Sequence, residues 1–371
     1  MRILFVDQFA EPGGAQLCIK DVMAEAYQRG WTTLLARPGD GLPASIASYT
    51  NGRKSWRDCC AFPVDMTRAA KSIRRIAREY RVDLVYVNGP RVLPAAAIAG
   101  IPVVFHAHSY LAEGYARTIT RLCLRRTRAR VLAASEFVAR PLRETVGGPE
   151  IRVIYNGVAE QNFRARAFDS RVLTIGIVGR IAPEKGQLDF ISAAQEIAAS
   201  FPETRFVIVG APLFSGGAYE ADVRRKAPGV GVKLDGWKEN ISEALHAIDI
   251  LAVPSTAIES TPRVIPEAMS AGTPVAAYPS GGIPELIRSG QTGILTTGPN
   301  PEALAWAIFD LMTNRDLMRW ISVNGRREWE ERFQAKRFVR DVCDSLVDVV
   351  QQRSRMKSHE ARQQHAPSAI G

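Results

Sequence analysis

Two cations follow a predicted buried strand near the middle of the sequence, in the segment GIVGRIAPEKG that spans residues 176–186. Arg180 and Lys185 flank a short loop there, ahead of a segment with helical periodicity. Cations at the carboxyl end of a strand suit a diphosphate, which an arginine can bind through two parallel hydrogen bonds. An ordinary solvated loop is the alternative interpretation of this segment.

Two glutamates eight residues apart lie in a second segment, residues 249–285. Glu259 lies in a polar loop after a predicted strand, and Glu267 lies in the first turn of the next predicted helix. Carboxylates there can accept hydrogen bonds from sugar or ribose hydroxyls. Helix amides together with the pair Gly281-Gly282 predict a phosphate-binding surface. The alternative is a strand, loop and helix whose first-turn acid is favoured by the helix dipole.

Glycines and histidines follow two strands of the first half. Gly13 and Gly14 come after the first strand and let a backbone approach a ligand closely. The segment lacks the G-x-G-x-x-G spacing, which argues against a dinucleotide-dependent dehydrogenase. His106 and His108 end another strand, where alternation sends one side chain into the packing and the other outward. Neither a third ligand nor a D-x-D pair accompanies them, so no metal site is predicted.

The elements that must position these residues alternate between strand and helix along the whole chain. This alternation predicts an α/β protein with two doubly wound, Rossmann-like domains facing a cleft, because parallel sheets carry helices on both faces. The predicted strands are Ile3–Asp7, Thr32–Ala36, Leu84–Asn88, Val103–His106, Arg130–Ala134, Ile151–Tyr155, Leu173–Gly179, Arg205–Gly210, Val232–Asp235, Ile248–Val253, Val275–Tyr278 and Gly293–Thr296. The predicted helices include Ala15–Gln28, Thr67–Tyr80, Gly114–Thr127, Gln187–Ser200, Ile241–Ala247, Pro266–Ala271 and Pro301–Thr313.

The length of 371 residues suits two domains of ordinary size. Residues 1–165 are predicted to form the N-terminal domain and residues 171–335 the C-terminal domain, with the polar stretch 160–170 as the linker. A last helix at 336–352 is predicted to return to the first domain. Residues 353–371 are polar and are predicted to be a disordered tail.

The net charge of +10 lies entirely in the first half of the chain. Residues 1–170 contain 25 Lys and Arg against 15 Asp and Glu, whereas residues 171–371 contain 23 of each. A one-sided basic charge indicates an anionic partner, such as nucleic acid, a membrane surface or an anionic substrate. Nucleic acid is not predicted, because the basic segments lack interleaved aromatic residues.

The cysteines and the apolar segments bear on the compartment. The five cysteines contain no C-x-x-C, so neither a disulfide framework nor a zinc site is indicated, and a reducing cytoplasm fits. No secretory signal is recognisable, and no run of 18 apolar residues could cross a membrane. A cytoplasmic protein is therefore expected.

The combined motifs resemble glycosyltransferase family 4, a large family of retaining enzymes with the GT-B fold. The resemblance covers the chain from Arg2 to about Gln352. Its most specific part is the E-x7-E element from Glu259 to Glu267, continuing as EAMSAGTPV and GGIPELI. The other matching segments are Gly179-Arg180 with Lys185-Gly186, the run VIYNGV at 153–158, Gly13-Gly14, and His108 after the strand that begins IPVV.

The resemblance implies a function and a role for each matching residue. A hexosyl group would move, with retention and without metal or cofactor, from a UDP- or GDP-sugar to a saccharide or lipid-linked acceptor. The first domain would bind the acceptor and the second the donor. Arg180 and Lys185 would bind the donor diphosphate, Glu267 the ribose hydroxyls, and Glu259 the transferred sugar. The remaining implied contacts are His108 beside that sugar, Gly13 and Gly14 at the first loop, and Arg263 with the amides of Val264 and Ile265 at the phosphate.

One position departs from the family pattern, and two other classes of function stay open. Pro266 stands where the family usually has an aliphatic residue, and proline supplies no amide. A GT-B sugar-nucleotide epimerase would need an acid/base set that the sequence does not show. A non-catalytic sugar-nucleotide-binding protein would keep the fold without turnover. Product analysis and turnover of labelled donor separate these classes.

Two basic helical segments predict that the first domain contacts an anionic membrane surface, as a peripheral protein at the inner face. Basic amphipathic helices can lie in the plane of the lipid headgroups. Core-packing helices with solvated outer faces, or a soluble anionic acceptor, are the alternatives. The cations are Arg68, Lys71, Arg74, Arg75, Arg78 and Arg81 in the first segment, and Arg117, Arg121, Arg125, Arg126, Arg128 and Arg130 in the second.

Overall fold

The chain forms two compact units, each built on one parallel sheet. The computed structural model describes residues 1–10, 13–46, 56–145, 150–165, 168–212, 217–256 and 259–364. The first unit comprises Met1–Ala134, Val138–Ile154 and the chain from Phe338 onward, and the second comprises Ser135–Phe137 and Tyr155–Arg337. The chain therefore enters the second unit at Tyr155, ahead of the polar stretch at 160–170. Val158 already packs in the core of the second unit, which explains why the boundary between the units lies before the predicted linker.

The first unit contains a seven-stranded sheet. Its strands are β1 (Arg2–Asp7), β2 (Thr32–Pro38), β3 (Gly41–Leu42), β4 (Leu84–Asn88), β5 (Val103–Ala107), β6 (Arg130–Ala133) and β7 (Ile151–Val153). They lie in the order β3-β2-β1-β4-β5-β6-β7, and these strand pairs are parallel. The order reverses between β1 and β4, and such a switch point is where doubly wound sheets bind ligands.

The helices that accompany this sheet form two layers. They are α1 (Gly14–Gln28), α2 (Trp56–Glu79), α3 (Leu93–Ala99), α4 (Tyr115–Thr127), α5 (Glu136–Thr145) and the C-terminal helix (Ala335–Gln364). Residues of α1 and of the C-terminal helix pack with Phe5 and Tyr86 in one core. Right-handed crossovers place α2, α3 and α4 on the opposite face, where α3 packs between the other two.

The C-terminal helix is longer than the sequence pattern predicts. It runs to Gln364 and so includes residues 353–364, which the polar composition assigned to a disordered tail. Apolar residues that pack on the first core, among them Phe338 and Leu346, anchor its first half. Residues 365–371 lie outside the described residues.

The second unit contains a six-stranded sheet. Its strands are β8 (Thr174–Val178), β9 (Arg205–Val209), β10 (Val232–Gly236), β11 (Ile250–Val253), β12 (Val275–Ala277) and β13 (Ile294–Leu295). They lie in the order β10-β9-β8-β11-β12-β13, and these pairs are parallel too. Here the order reverses between β8 and β11. The prediction of two doubly wound α/β sheets is therefore confirmed.

Six helices cover the second sheet within its described part. They are α6 (Gln187–Ser200), α7 (Gly217–Lys226), α8 (Ile241–His246), α9 (Val264–Ala271), α10 (Pro301–Thr313) and α11 (Arg315–Glu328). The predicted bounds of α6 and α10 are confirmed. The Asn300 side chain accepts a hydrogen bond from the Ala303 amide and Pro301 opens α10, so its start has a strong local signal. In the described residues, no helix has both the length and the apolar character needed to cross a membrane.

Candidate functional site

The loops after β8 and β11 meet at the switch point of the second sheet. The two strands pair through Ile250 with Ile175 and Leu251 with Gly176. Because the strands are parallel, their carboxyl ends reach the same edge. The loop after β8 carries the two predicted cations, and the loop after β11 leads through both predicted glutamates into α9. The second unit therefore places the predicted donor residues at one edge, where such sheets bind ligands.

A close backbone contact fixes the loop after β8 against the loop after β11. The amide of Thr256 donates to the carbonyl of Glu184 over 3.0 Å. Gly186 has a φ of +72°, and a Cβ there would lie 2.1 Å from the carbonyl oxygen of Pro254. Only glycine therefore fits at residue 186, directly after the short 3-10 helix Pro183–Lys185. This contact sets the position from which Lys185 extends.

Both predicted cations have carboxylate partners. The ammonium of Lys185 contacts a carboxylate oxygen of Glu259, and the two side chains are 23% and 13% exposed. Arg180 pairs with Glu184 at 2.6 Å, with each side chain about one-third exposed. Partial burial makes such charge pairs stronger than they would be in water. Sequence reasoning identified three of these four residues and missed Glu184.

Glu267 lies in the first turn of α9 and is largely buried. Burial raises the pKa of its carboxyl, while the nearby charge of Arg263 lowers it. The Arg263 Nε lies 3.7 Å from a carboxylate oxygen of Glu267, and its Nη1 donates to the carbonyl of Gly157 over 3.2 Å. A buried carboxylate with one cation beside it is a suitable acceptor for ligand hydroxyls.

The start of α9 differs from the prediction. The helix begins at Val264 rather than Pro266, so the proline is its third residue. The missing amide is tolerated there because the first amides of a helix have no intrahelical partner. The Ile265 amide donates to the carbonyl of Pro262 over 3.2 Å. The described backbone hydrogen bonds include none from the Val264 amide, and the predicted phosphate contact of this pair remains a prediction.

Gly281 and Gly282 support the loop that carries Glu259. A Cβ on Gly281, whose φ is +56°, would lie 1.7 Å from the carbonyl oxygen of Glu259. A Cβ on Gly282 would lie 1.9 Å from the carbonyl oxygen of Ser260, and the Gly282 amide donates to the Glu259 carbonyl over 3.1 Å. The pair thus positions the loop, and the Gly282 amide is engaged within the protein, while the phosphate-binding role of the pair remains a prediction.

Two cavities of the second unit differ in their relation to this edge. A small cavity lies between the ends of β8 and β11, with Lys185, Ser255 and Val264 in its wall. A larger one, of about 450 Å³, is lined by residues 160–164 and by α8 with its preceding residue. Its polar atoms bond to one another, as in the 2.8 Å contact from Ser242 Oγ to the carbonyl of Gln161. None of the predicted site residues lines the larger cavity.

In the first unit, a buried polar network lies at the ends of β1 and β4. Asp7 accepts hydrogen bonds from the amide groups of Gln16, at 3.1 Å, and Asn88, at 3.3 Å. Burial raises the pKa of Asp7. Gly13 precedes α1, where a Cβ would lie 2.9 Å from Gln16 Oε1. The sequence analysis identified Gly13 and Gly14 but missed this network. Its signal in the sequence was the polar residue at the end of each of the two buried strands. Residues 11–12 of the glycine loop lie outside the described residues.

The two histidines of β5 and its following loop have different environments. His106 is fully buried and its Nδ1 contacts the hydroxyl of Tyr86, whereas His108 is partly exposed. The ring centroids lie 3.9 Å apart. Burial, with the charge of His108 acting in the same direction, lowers the pKa of His106 well below its usual value. The prediction that the two side chains point in opposite directions is wrong, because residues two apart in a strand lie on the same face and these rings pack together.

Other side chains that could hold a metal do not cluster. Within the described ranges, no three His, Cys, Asp or Glu side chains form a metal-binding group. Cys60, Cys123 and Cys343 are free thiols.

Comparison with known families accounts for both units. The model for "Glycosyltransferase Family 4" matches residues 12–162, and the model for "Glycosyl transferases group 1" matches residues 158–328. Together the matches span residues 12–328, which include all the strands described above except β1, and the loops after β8 and β11. This chain belongs to glycosyltransferase family 4. The family predicted from the sequence motifs is confirmed.

Relatives of this family 4 chain include proteins with named activities. The D-inositol 3-phosphate glycosyltransferase of Rhodococcus erythropolis is 30% identical over 245 residues, which are 58% of this chain and 55% of that protein. The sulfoquinovosyl transferase SQD2 of Arabidopsis thaliana is 25% identical over 304 residues, which are 72% of this chain and 57% of that protein. The chain thus spans somewhat more than half the length of these two relatives.

A solved structure is similar over nearly the whole chain. The Anabaena protein Alr3699/HepE, crystallised in complex with UDP-glucose, is 26% identical and superposes with a TM-score of 0.76. The match covers 94% of this chain and 100% of that chain. Together with the two parallel sheets, this similarity shows that the family 4 chain has the GT-B fold.

Proposed function

We propose that this family 4 chain transfers a hexosyl group from a UDP- or GDP-sugar to a saccharide or lipid-linked acceptor, with retention of configuration. The observation that carries the proposal is the pairing of Lys185 with Glu259, beside Arg180, at the switch point of the second sheet. The UDP-glucose complex of the Anabaena protein supports a UDP-linked donor, and the named relatives support glycosyl transfer.

The second unit supplies the donor contacts. Arg180 and Lys185 bind the diphosphate, because both cations extend from the carboxyl edge of the sheet. Glu267 accepts hydrogen bonds from the ribose hydroxyls, and Arg263 beside it favours the ionised carboxylate that does so. The Val264 amide, at the positive end of α9, adds a neutral donor to the phosphate.

Donor binding exchanges the partner of Lys185. Without a donor, Glu259 neutralises the ammonium. A diphosphate brings more negative charge than one carboxylate, so it replaces Glu259 at the cation. The released carboxylate then accepts hydrogen bonds from hydroxyls of the transferred sugar. This exchange links recognition of the diphosphate to recognition of the sugar.

The chemical step needs no enzymic nucleophile. The bond from the anomeric carbon to the diphosphate oxygen breaks, and a bond to the acceptor oxygen forms on the same face of the sugar. The acceptor's hydroxyl proton passes to the departing phosphate oxygen. Arg180 and Lys185 stabilise the charge that develops on the leaving group, which is electrostatic catalysis by preorganised groups. No metal is required because these cations perform the charge neutralisation.

The first unit carries the remaining predicted residues. Gly13 and Gly14 open α1, and His108 follows β5. Their predicted contacts, with ligands at the first loop and with the transferred sugar, remain predictions. We also propose that the protein acts in the cytoplasm, peripherally at the inner face of the membrane. The free thiols support a reducing compartment.

The direct test is a screen of UDP- and GDP-sugars by thermal stabilisation and by turnover of labelled donor. At least one sugar nucleotide should raise the melting temperature and should be consumed, and turnover should persist in excess EDTA. Lys185→Ala should lose most of the turnover. Loss of activity in EDTA with recovery in magnesium or manganese would contradict the metal-independent step. An epimerised donor or an inverted product would contradict retaining transfer.

A further inference from the structure

The layer of α2, α3 and α4 covers one face of the first sheet, whereas the predicted donor residues belong to the second unit. Arg74 on α2 donates to the carbonyls of Ile98 and of Ala99, the latter over 3.2 Å, at the end of α3. This contact caps α3 and joins two of the three helices. With α3 packed against α4 as well, the helices present one continuous outer surface, here termed the basic layer.

The basic layer carries exposed cations that are not neutralised locally. Besides Arg74, whose guanidinium bonds to the carbonyls of α3, five exposed cations of these helices have no ion-pair partner among the described residues, and they are Lys71, Arg75 and Arg78 on α2 with Arg125 and Arg126 on α4. The three on α2 are separated by four and three residues, so they share one stripe of that helix. The stripe points to solvent, whereas Ile73 on the same helix is fully buried.

Exposed cations on the second unit have a different arrangement. Arg224 pairs with Glu220 at 2.7 Å, and Arg225 pairs with Asp222 at 2.6 Å, all within α7. In such pairs, the carboxylate neutralises the positive charge of the neighbouring arginine at the surface. The basic layer has fewer carboxylates to do so, which agrees with the net +10 of residues 1–170. Its positive field therefore extends into solvent, within the Debye length.

Apolar side chains are exposed among these cations. Each helix contributes at least one: Val64 on α2 is 51% exposed, Ile98 on α3 is 38% exposed, and Tyr115 and Leu122 on α4 are 59% and 60% exposed. Tyr115 and Leu122 are seven residues apart and Arg126 follows four residues later, so they share one stripe of α4. Cations and apolar groups thus face the same side of the layer.

We infer that the basic layer docks on an anionic lipid surface. The α2 stripe from Val64 to Arg78 is about 21 Å long at the helical rise per residue, so its cations cannot converge on one small anion. An extended anionic plane matches it, since cations contact lipid phosphates while apolar side chains enter the interface. Single-stranded nucleic acid needs aromatic stacking platforms, and the exposed aromatics among the described side chains here are two separate residues, Tyr115 on α4 and Tyr80 directly after α2.

The structure also decides which cations can test this inference. Arg74 caps α3, so its removal would disturb the helix layer itself. Arg117 is 14% exposed and lies 3.6 Å from Glu113, so it contributes little free charge. The informative variant is therefore Lys71→Glu/Arg75→Glu/Arg78→Glu. A variant of α7 with the same charge change, Arg224→Glu/Arg225→Glu/Lys226→Glu, is the matched control.

Vesicle flotation of the full chain provides the measurement. The wild type should float with vesicles of phosphatidylcholine and phosphatidylglycerol at low salt, should stay behind with phosphatidylcholine alone, and should detach as salt rises. Each cation near an anionic surface multiplies binding about fivefold, so the α2 variant should lose about 100-fold or more in affinity. The α7 control should bind as the wild type does.

Three outcomes would overturn the inference. They are a wild type that does not float with anionic vesicles at low salt, an α2 variant that binds like the wild type, and an α7 control that binds as weakly as the α2 variant. An oligonucleotide that displaces the protein at near-physiological salt would instead show a nucleic-acid site. The inference does not rest on the donor chemistry. A melting temperature of the α2 variant equal to that of the wild type confirms folding without any donor, so the two proposals stay distinguishable.

Discussion

Lys185 contacts Glu259, although 74 residues separate them and they follow different strands of the second sheet. The contact connects the loop after β8 with the loop after β11, which a neighbouring strand pair brings to one edge. A predicted phosphate-binding cation and a predicted sugar-binding carboxylate thus neutralise each other. Substitution of either residue changes the electrostatic environment of the other, and four predictions follow from this edge and from the buried histidine.

Removal of either cation should impair the chemical step. Arg180→Ala and Lys185→Ala are each expected to lower kcat by about 100-fold or more, because each removes charge stabilisation from the leaving diphosphate. Initial rates at saturating donor measure the effect. Arg224→Ala, which removes an exposed arginine of α7, is the control and should leave the rate unchanged. Near-normal turnover in both site variants would reject the assignment.

Substitutions of the two glutamates should have different effects on the binding of free nucleotide. Glu267→Ala should weaken binding of UDP or GDP, because it removes the acceptor for the ribose hydroxyls. Glu259→Ala should retain or strengthen that binding, because it frees Lys185 for the diphosphate, while turnover and sugar discrimination fall. Isothermal titration calorimetry measures the nucleotide affinity, and steady-state kinetics measure the turnover. Equal loss of nucleotide affinity in both variants would contradict these roles.

Gly281 should matter through the loop that it supports. Gly281→Ala places a Cβ 1.7 Å from the carbonyl of Glu259 and must displace that loop, so turnover should fall well below wild type. Gly290→Ala is the matched control, because its φ of +76° imposes similar strain but its Cβ would meet no atom within 4 Å. Comparable melting temperatures with unequal turnover would support the positioning role, and equal turnover would contradict it.

The buried histidine should make stability depend on pH. The pKa of His106 is lowered in the folded state, so the unfolded chain binds the proton more readily. Above the unfolded pKa of about 6.5, His106 is neutral in both states and does not reduce the free energy of unfolding. As the pH falls below that value, the free energy of unfolding decreases by at most about 1.4 kcal/mol per pH unit. Denaturant unfolding at pH 7.5 and pH 5.5 measures this loss. His106→Asn should show a smaller loss, and an unchanged pH dependence would show that other groups dominate.

The sequence alone determined the class of fold and the family, and it singled out Arg180, Lys185, Glu259 and Glu267 as predicted donor residues. Strand and helix periodicity is local, so windows of ten to fifteen residues indicate elements such as α6 and α10 with correct bounds. The spacing of Glu259 and Glu267 is local as well, because it places one in a loop and the other in the first turn of the following helix. The helices α5, α7 and α11 were not predicted. Pro141 within α5 is typical of a helix end and α7 has few apolar residues, whereas the amphipathic pattern of α11 was overlooked.

The tertiary structure alone decided which of these residues meet. The order of the strands places the loop after β8 beside the loop after β11, and no local pattern specifies that order. The pairs Lys185–Glu259 and Asp7–Asn88 depend on it, as does the support of Glu259 by Gly281. Burial, too, follows from packing between distant segments, and it distinguishes the fully buried His106 from the partly exposed His108. Contacts between helices likewise distinguish Arg74, which donates to the end of α3, from the neighbouring Arg75. These contacts join residues far apart in the chain, so only the folded sheet brings them together.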